Sequence, residues 1–340
     1  MGIAVIGFRI ILGAGASGEI EYRRSNNSSE RHGLCRLLHL SANNQGGSIL
    51  LHKTQAEVVI RVATLEDSAV CGRICFEAFS AINGAHGFPC DFPGVEAATG
   101  VLSMMFSSPG CYCVVAEVDG RIVGSNCLDE RSVICGLGPI TIDPEAQNIG
   151  VGRRLMQAVM DRANERGAAG IRLVQAAFHN RSLSLYTSLG FDIREPLSCV
   201  QGRTLERSVA GCAVRQARAD DADACNALSR RVHGYDRGVD LAQAIEQGNA
   251  RVVEREGRVT GYTTHLAFSG HSTAETNLDM QALIASVESF AGAGILVPSR
   301  NHALLRWCLA NGLRVVQPMT LMSAGLYNDP SGAWLPSVLF

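Results

Sequence analysis

The sequence has few charged residues, few aromatic residues and no excess of positive charge. Charged side chains make up 18% and aromatic side chains 6% of its 340 residues, and the formal net charge is −2. Nucleic-acid-binding proteins usually carry a basic surface, so we expect no nucleic acid partner. No stretch of about 20 apolar residues is free of charge, so we expect no membrane span and no membrane partner. The apolar start has no basic segment before it, so a signal peptide is not expected.

The sequence also lacks a Cys-x-x-Cys pair, although it contains 12 cysteines. Scattered cysteines of this kind are typical of small buried hydrophobic residues in a reducing compartment. We therefore expect neither a disulfide framework nor a metal site, and we expect a cytoplasmic protein. The sequence leaves the oligomeric state open, with a homodimer as one possibility.

The chain is too long for one ordinary hydrophobic core, so its length predicts two domains. Residues 1–55 contain the polar, low-complexity runs "RRSNNSSERHG" and "SANNQGGS". Such runs bury little apolar surface, so we predict a disordered extension over 1–55. Regular patterns fill the rest, and we predict one domain over 56–205 and another over 212–340.

Hydrophobic periodicity predicts a mixed α/β sheet for the first domain. Thr64 is the predicted N-cap of the first helix, and Asp119-Gly120 is a strong signal for a hairpin turn. Apolar residues recur every four positions from Val151 to Ala163, which is typical of an amphipathic helix. The predicted order is strand 57–63, helices 64–82 and 94–106, a hairpin over 111–130, strand 133–142, helix 151–166, strand 171–178, helix 180–190 and a last strand from 191.

The second domain repeats this order in weaker form. "IRVATLED" (60–67) resembles "VRQARADD" (214–221), "VVAEVDGRIVG" (114–124) resembles "VVEREGRVTG" (252–261), and "NRSLSLYTSLGF" (180–191) resembles "NHALLRWCLANGL" (301–313). Three matches in the same order indicate a duplication. Where the first copy has "QNIGVGRR", the second has "SGHSTAETNLDMQ", in which the glycine loop and both arginines are missing. Trp307 falls near the position of Tyr186, and its side chain has no hydroxyl group.

Two glycine loops compete as phosphate-binding sites. Gly13, Gly15 and Gly18 fit G-x-G-x-x-G, but no convincing helix or βαβ unit follows them, which argues against a dinucleotide site. The stretch "QNIGVGRR" lies between a predicted strand and an amphipathic helix. The first N–H groups of a helix have no partner within it and attract anions, and glycine allows the backbone to approach a phosphate closely. We therefore predict that this second loop binds a pyrophosphate.

At these residues the chain resembles a known family. The Q-x-x-G-x-G pattern of Gln147, Gly150 and Gly152, together with "NRSLSLYTSLGF", resembles motifs A and B of the GCN5-related N-acetyltransferases (the GNAT superfamily). The resemblance covers about 57–200 with both motifs and 212–340 by element order alone. It implies two tandem GNAT-like domains, of which the second is a degenerate copy.

The resemblance also implies a cofactor and a set of residues that bind it. The cofactor is acetyl-CoA, held largely by backbone groups, with Asn180 near its pantetheine or phosphate arm and Tyr186 near the thioester sulfur. The implied cofactor-binding residues are Ile140, Thr141, Ile142, Gln147, Asn148, Ile149, Gly150, Val151, Gly152, Arg153, Asn180 and Tyr186.

The implied reaction is a direct transfer of acetyl from the CoA thioester to a primary amine, without an acetyl-enzyme. The hypothesis gives Tyr186 the role of general acid, because a phenol can donate a proton to a leaving thiolate. Many relatives place a carboxylate on the strand before the loop, but "VICGLGPITI" has none. Asp129, Glu130, Glu77 and His86 remain alternatives for the base, as does ordered water.

The acceptor is the least predictable part of the reaction. The stretch "FEAFSAINGAHGFPCDFPG" and the strand ends near it contain the expected substrate residues, which are Phe79, Asn83, His86, Phe88, Asp129 and Glu130. The preferred function is N-acetylation of a small-molecule amine. Acetylation of a protein or peptide amine, and a non-catalytic acyl-CoA-binding regulatory module, remain as alternatives.

Overall fold

The computed structural model describes residues 57–204 and 208–339. The expectations for residues 1–55, including the glycine loop at Gly13, lie outside the described residues. Within the described ranges the chain forms two halves with the same order of elements.

The first half alternates strands and helices in the predicted order. Its first strand is formed by the β-branched run "VVIRV". The hairpin turns at Asp119 and Gly120, which both have the positive φ that a tight hairpin turn requires. The elements are β1 (Val58–Val62), α1 (Ser68–Ala85), α2 (Val95–Ser107), β2 (Cys111–Val118), β3 (Arg121–Asp129), β4 (Ile134–Leu137), β5 (Thr141–Ile142), α3 (Val151–Glu165), β6 (Gly170–Ala176), α4 (Asn180–Ser188) and β7 (Asp192–Gln201).

The second half repeats this series with a single strand, β11, in place of β4 and β5, and it adds a strand at its end. Its elements are β8 (Ala213–Gln216), α5 (Ala222–His233), α6 (Gly238–Glu246), β9 (Arg251–Arg255), β10 (Arg258–Thr263), β11 (Ser272–Ala274), α7 (Asn277–Ala285), β12 (Ile295–Pro298), α8 (His302–Ala310), β13 (Arg314–Gly325) and β14 (Ala333–Leu335).

A repeated ion-pair network supports the duplication at the level of side chains. In the first half, Arg61 donates to Asp67 at 2.7 Å and to Glu117 at 2.8 Å. In the second half, Arg215 donates to Asp221 at 2.7 Å and to Glu254 at 3.0 Å. Each network ties the first strand of its half to the start of the first helix and to the hairpin. The sequence matches between the halves therefore correspond to equivalent positions in space.

The two halves exchange their last long strands. The larger sheet has the order β1-β2-β3-β4-β6-β13-β7-β12, with β5 beside β3. Strand β13 of the second half thus lies between β6 and β7 of the first, and β7 pairs with β12. The second sheet has the order β14-β11-β10-β9-β8. One continuous sheet therefore joins the two copies.

The helices of the first half cover opposite faces of the larger sheet. Helices α3 and α4 pack through Leu155, Val159 and Tyr186 on one face. Helices α1 and α2 pack through Cys75 and Leu102 on the other. An opening in the sheet between these two helix layers therefore has one side towards α3 and α4 and another towards α1 and α2.

One predicted element differs from the structure. The run 133–142 was predicted as a single strand because it is nearly continuously apolar, and that prediction is wrong. The run forms two short strands, β4 and β5, separated at Gly138 and Pro139, which are joined by a cis peptide bond. Strand β4 pairs with both β3 and β6, whereas β5 pairs with β3 alone.

The cysteines in the described part of the chain are free thiols, and most of them are buried. No group of three or more His, Cys, Asp or Glu side chains in these residues is arranged to hold a metal ion. Within the same ranges no helix has both the length and the apolar composition that a membrane crossing requires.

Candidate active site

The loop before α3 has the backbone of an anion-binding turn. Gly150, the N-cap of α3, has φ +90°, and Asn148 has φ +69°. A Cβ atom on Gly150 would project into open space, but this φ is strained for any residue other than glycine. A Cβ atom on Gly152 would lie 3.0 Å from Ile142 Cδ1 and 3.3 Å from Leu185 Cδ2, so this glycine permits close packing.

The backbone N–H groups of this loop are available to a ligand. The first hydrogen bond of α3 runs from Arg154 N to Gly150 O. Among the described residues, none accepts a hydrogen bond from the amides of residues 147–153. Successive free amides at a helix N-terminus carry partial positive charge and bind phosphate oxygens. The loop therefore fits the pyrophosphate of a nucleotide-like cofactor.

Two arginines fix this loop against α4. Arg181 donates to Gln147 Oε1 at 2.5 Å and to Asn148 Oδ1 at 2.9 Å. Arg153 donates to Ser188 Oγ at 2.7 Å. The side chains of Arg153 and Arg154 are exposed beside the loop. These contacts hold the loop in shape and keep positive charge next to its free amides.

An opening in the sheet leads away from this loop. Strands β4 and β6 pair in parallel only at Ile134–Gly136 and Gly170–Arg172, and the chain then turns away into β5. The amide of Asp143 donates to Val123 O, and Thr141 lies opposite Ser125. The alternation of an antiparallel ladder then turns the backbone groups of Ile140 and Ile142 away from β3 and into the opening. The family resemblance implies a cofactor contact at 140–142. The backbone groups at this strand edge are thus free to make it.

Two buried side-chain amides on the α3 and α4 side of the sheet each have one atom without a hydrogen-bond partner among the described residues. In the described residues, Asn126 Oδ1 and Gln175 Nε2 are buried and have no hydrogen-bond partner. Asn126 lies on β3, with its Nδ2 3.4 Å from Leu155 O in the second turn of α3, and Gln175 Oε1 accepts a hydrogen bond from Ser182 on α4. Buried polar groups are normally paired. These atoms are suited to the amide groups of a ligand arm such as pantetheine.

Tyr186 and Asn180 both lie on α4. Tyr186 is 7% exposed and belongs to the core cluster against which Ile140 and Ile142 pack. Burial raises the pKa of its phenol above the usual value, so the group stays protonated at neutral pH. Asn180 is the first residue of α4, is exposed, and lies next to Arg181.

The residues expected to line the acceptor mouth divide into two groups. His86 and Phe88 meet Phe178, which follows β6, with ring centroids 5.2 Å and 4.3 Å apart. Phe79 packs instead against Phe92 at 5.6 Å. The first group lies at the carboxyl end of β6, where the opening begins. His179 follows Phe178, and its pKa is lowered by burial and by the nearby Arg181 and His86.

The acidic candidates lie elsewhere in the first half. Asp129 is held by Arg131, and Glu130 by Arg162 and Arg166 at 2.8 Å and 2.9 Å. Arg162 is twelve residues after Gly150, which corresponds to about 18 Å along the helix. The structure therefore does not bring Asp129 and Glu130 together with the loop.

Glu77, a candidate base, and Asn83, an expected substrate residue, differ in exposure. Glu77 pairs with Arg73 on the exposed side of α1. Asn83, in contrast, is 1% exposed and lies near the end of α1.

Three residues of this region were not singled out from the sequence. Arg181 directly follows Asn180, so its position beside the motif was a usable signal. Asp91 lies within the expected acceptor stretch but had no distinguishing neighbour in the sequence. Gln317, on β13, donates to Asp91 Oδ1 at 2.9 Å across a separation of 226 residues. No local pattern reveals a contact of that range.

The fold is a mixed α/β sheet in which a loop of free amides lies next to an opening between strands. This arrangement fits a pyrophosphate-bearing cofactor with an extended arm. Residues 84–191 match the model of the acetyltransferase (GNAT) family. Over these residues the chain is thus similar to the GNAT acetyltransferases. Acetyl-CoA is the cofactor of this family, and the family implies acetyl transfer from it.

Solved structures share this fold over most of the chain. A Pyrococcus horikoshii protein described as a candidate acetyltransferase has a TM-score of 0.60 at 17% identity, covering 86% of this chain and 98% of its own. A GCN5-related N-acetyltransferase from Sphaerobacter thermophilus has a TM-score of 0.55 at 14% identity, covering 80% and 96%. No curated protein matches the chain in a sequence comparison. At these identities the likeness concerns the fold alone.

Proposed function

We propose that this protein is an acetyl-CoA-dependent N-acetyltransferase that transfers acetyl directly to the primary amine of a small molecule. The observation that carries the proposal is the set of free amides at 147–153, next to an opening lined by free backbone groups of β5. A pyrophosphate on the loop directs the rest of the cofactor along that opening.

In this proposal each residue contributes a physical effect to cofactor binding. The loop amides and the dipole of α3 stabilise the pyrophosphate. Arg153 adds positive charge and Asn180 a hydrogen-bonding side chain at the mouth. The free backbone groups of Ile140 and Ile142 form hydrogen bonds with the pantetheine arm, as they would with a neighbouring strand. The cofactor supplies an activated acetyl group as a thioester.

Tyr186 supplies the proton for the leaving group. Its phenol lies in an apolar core and stays protonated, because burial raises its pKa. A neutral donor of this kind stabilises a developing thiolate when the carbon–sulfur bond breaks. A backbone N–H on the free edge of the split strand is the expected donor to the oxyanion.

The second half has no equivalent cofactor loop in this proposal. The N-terminus of α7 is occupied by its own side chains, since Thr276 caps it by accepting from Asp279 N. Burial opposes ionisation of Asp279, but hydrogen bonds from Arg255, Thr276 and Thr260 hold its pKa below the usual value. A carboxylate at this position repels a phosphate.

In the second half, the strand edge that corresponds to the free edge of β5 is covered by another strand. Strand β14 pairs with β11 through Ser272–Ala274, on the side that remains open beside β5 in the first half. We therefore propose that one cofactor binds per chain.

Thermal unfolding with and without acetyl-CoA tests the proposal. A ligand that binds only the folded chain stabilises it by about 2.7 kcal/mol at 100 times its Kd. We expect this gain in the wild type and its loss in Gly150→Glu, which puts a carboxylate at the loop. Gly150→Ala shares the backbone strain without the charge and should keep part of the gain.

Gly100→Glu on the exposed part of α2, where a Cβ meets nothing within 4 Å, is the matched control and should keep the full gain. Calorimetric titration should give one site per chain. Thiol release with a panel of primary amines then separates a catalyst from an acyl-CoA-binding module. Absence of stabilisation in the wild type would contradict the proposal.

A further inference from the structure

A carboxylate of the first half and an amide of the second meet on the α1 and α2 side of the opening. Asp91 lies in the loop between α1 and α2, and Gln317 lies on β13. The next residue, Pro318, accepts a hydrogen bond from Ala177 N at the carboxyl end of β6. The pair is therefore at the edge of the opening, on the face opposite to α3 and α4.

Helix α1 connects this pair to β5, because α1 packs against β5 and carries Cys75 and Asn83. Burial and the Asp91 carboxyl both raise the pKa of the Cys75 thiol, and the amide of Asn83 offsets part of the rise that burial causes in the pKa of Asp91. Asp91 therefore lies on the side of the sheet where α1 covers β5.

The surroundings of Asp91 contain hydrogen-bond donors but no cation. Burial raises the pKa of this carboxyl, and the amides of Gln317 and Asn83 lower it in part. The titratable groups near it are thiols: the carboxyl of Asp91 acts electrostatically on Cys75 of α1 and on Cys199 of β7, and Cys90 directly precedes Asp91 in the chain. Burial raises the pKa of Cys75 and of Cys199 to about 12, so both are neutral. In the described residues no arginine or lysine forms an ion pair with Asp91.

The side-chain oxygen of Gln317 is a second hydrogen-bond acceptor beside the carboxylate of Asp91. It is 2% exposed, its Nε2 donates to Asp91, and its Oε1 has no hydrogen-bond partner among the described residues. A primary ammonium group has three N–H donors and no acceptor. It would satisfy both the carboxylate of Asp91 and the oxygen of Gln317.

We infer that Asp91 and Gln317 form the amine-binding end of the acceptor site, and that Asp91 takes the proton from the acceptor's ammonium group. The inference rests on the proposed function and specifies its acceptor as a primary amine that arrives positively charged. It also gives the second half a direct part in the active site, because β13 carries Gln317.

The reaction balances with these groups. The ammonium gives one proton to Asp91 and becomes a neutral amine. Its nitrogen bonds to the thioester carbonyl carbon, the carbon–sulfur bond breaks, and the thiolate takes the Tyr186 proton. The phenolate takes back the second proton released by nitrogen, and the proton on Asp91 passes to solvent.

The first test is binding without turnover, on the full chain in the presence of CoA. We expect n-butylammonium chloride to raise the unfolding temperature more than n-butanol does at equal ionic strength. Asp91→Asn should abolish that difference, whereas Asp223→Asn, an exposed change on α5, should retain it. A wild type without the difference, or an Asp91→Asn variant that keeps it, overturns the inference.

The second test separates a base from a structural group. Asp91→Asn should lower kcat/KM for n-butylamine by about a hundredfold or more. The loss should be much smaller for O-methylhydroxylamine, which is uncharged at neutral pH. The variant's kcat/KM should rise tenfold per pH unit towards the amine pKa, whereas the wild type levels off. Equal losses for both amines, with an unchanged pH profile, would overturn the role as base.

The third test uses Gln317→Leu, which leaves the carboxylate in place if Asp91→Asn fails to fold. We expect KM for n-butylamine to rise about tenfold, as for one lost hydrogen bond to a charged group, with little change in acetyl-CoA binding. An unchanged KM would overturn the part given to the second half. A chain that binds n-butylammonium at Asp91 but never releases CoA would contradict the proposed function instead.

Discussion

The Tyr186 ring lies in the apolar core of the first half, in one cluster with Leu155 of α3 and with Phe191, which directly precedes β7. No described residue forms a hydrogen bond with its hydroxyl group, so the fold does not need that oxygen. In the proposed function this hydroxyl serves as the general acid.

We expect Tyr186→Phe to lower kcat by about a hundredfold, because loss of a general acid typically costs that much or more. The affinity for acetyl-CoA should be nearly unchanged, since the ring stays in place. Steady-state kinetics with the best amine of the panel, together with a calorimetric Kd, provides the measurement. Tyr112→Phe, which keeps its ring over Arg162 at 5.1 Å, is the control. An unchanged kcat would remove Tyr186 from the mechanism.

The site residues differ in how well the sequence predicts them. Gly150 was predictable because a helix N-terminus that binds phosphate needs glycine at a fixed spacing. Asp91 and Gln317 were not, because their contact depends on where β13 lies in the sheet. Asp129 and Glu130 attract attention in the sequence as acids near a strand end, yet arginines of the first half engage both. Sequence patterns identify backbone-built sites better than side-chain pairs between distant segments.

At the scale of elements, the repeated network around Arg61 and Arg215 fixes the start of each half. The hydrogen bond from Arg61 holds the pKa of Asp67 below its usual value, and Arg215 does the same for Asp221. The folded-state pKa is thus lower than the unfolded one. The stabilisation is complete above the unfolded pKa of about 3.9 and is lost as the pH falls through the folded pKa.

We expect Asp67→Asn to lower the free energy of unfolding by about 1 kcal/mol at pH 7, because Arg61 is 37% exposed and solvent screens the pair. The difference from wild type should shrink between about pH 5 and pH 3. Asp221→Asn should behave alike, since its contacts repeat those of Asp67. Urea unfolding at several pH values measures both, with Asp223→Asn as the control. A loss that does not depend on pH would contradict the electrostatic explanation.

The break between β4 and β5 shows what periodicity misses. The run "VICGLGPITI" has the apolar composition of one buried strand. Both strands that it forms, β4 and β5, are indeed largely buried. The sequence signal for the break is Gly138-Pro139, since proline removes a ladder donor from a strand. The opening next to the glycine loop lies where this run divides into β4 and β5.

At the scale of the molecule, the exchange of β7 and β13 joins the two copies. Strand β13 runs antiparallel to both β6 and β7, and its Met322 is fully buried in the core of the first half. The described residues of both halves belong to one compact unit. The sequence predicts the strands but not the exchange, because a strand has the same alternation whichever neighbour it pairs with.

The exchange predicts that the two halves unfold together. We expect a single calorimetric transition, which acetyl-CoA shifts as a whole, rather than one transition for each half. Met322→Ala should lower the free energy of unfolding by about 2–5 kcal/mol, because it leaves a cavity in the first half's core.

Leu326→Ala, at a side chain that is 49% exposed, should cost little. Scanning calorimetry of both variants with and without acetyl-CoA is the measurement. Two transitions, of which acetyl-CoA moves one and Met322→Ala the other, would mean that the halves fold independently. The strand exchange would then not couple the second copy to the active site.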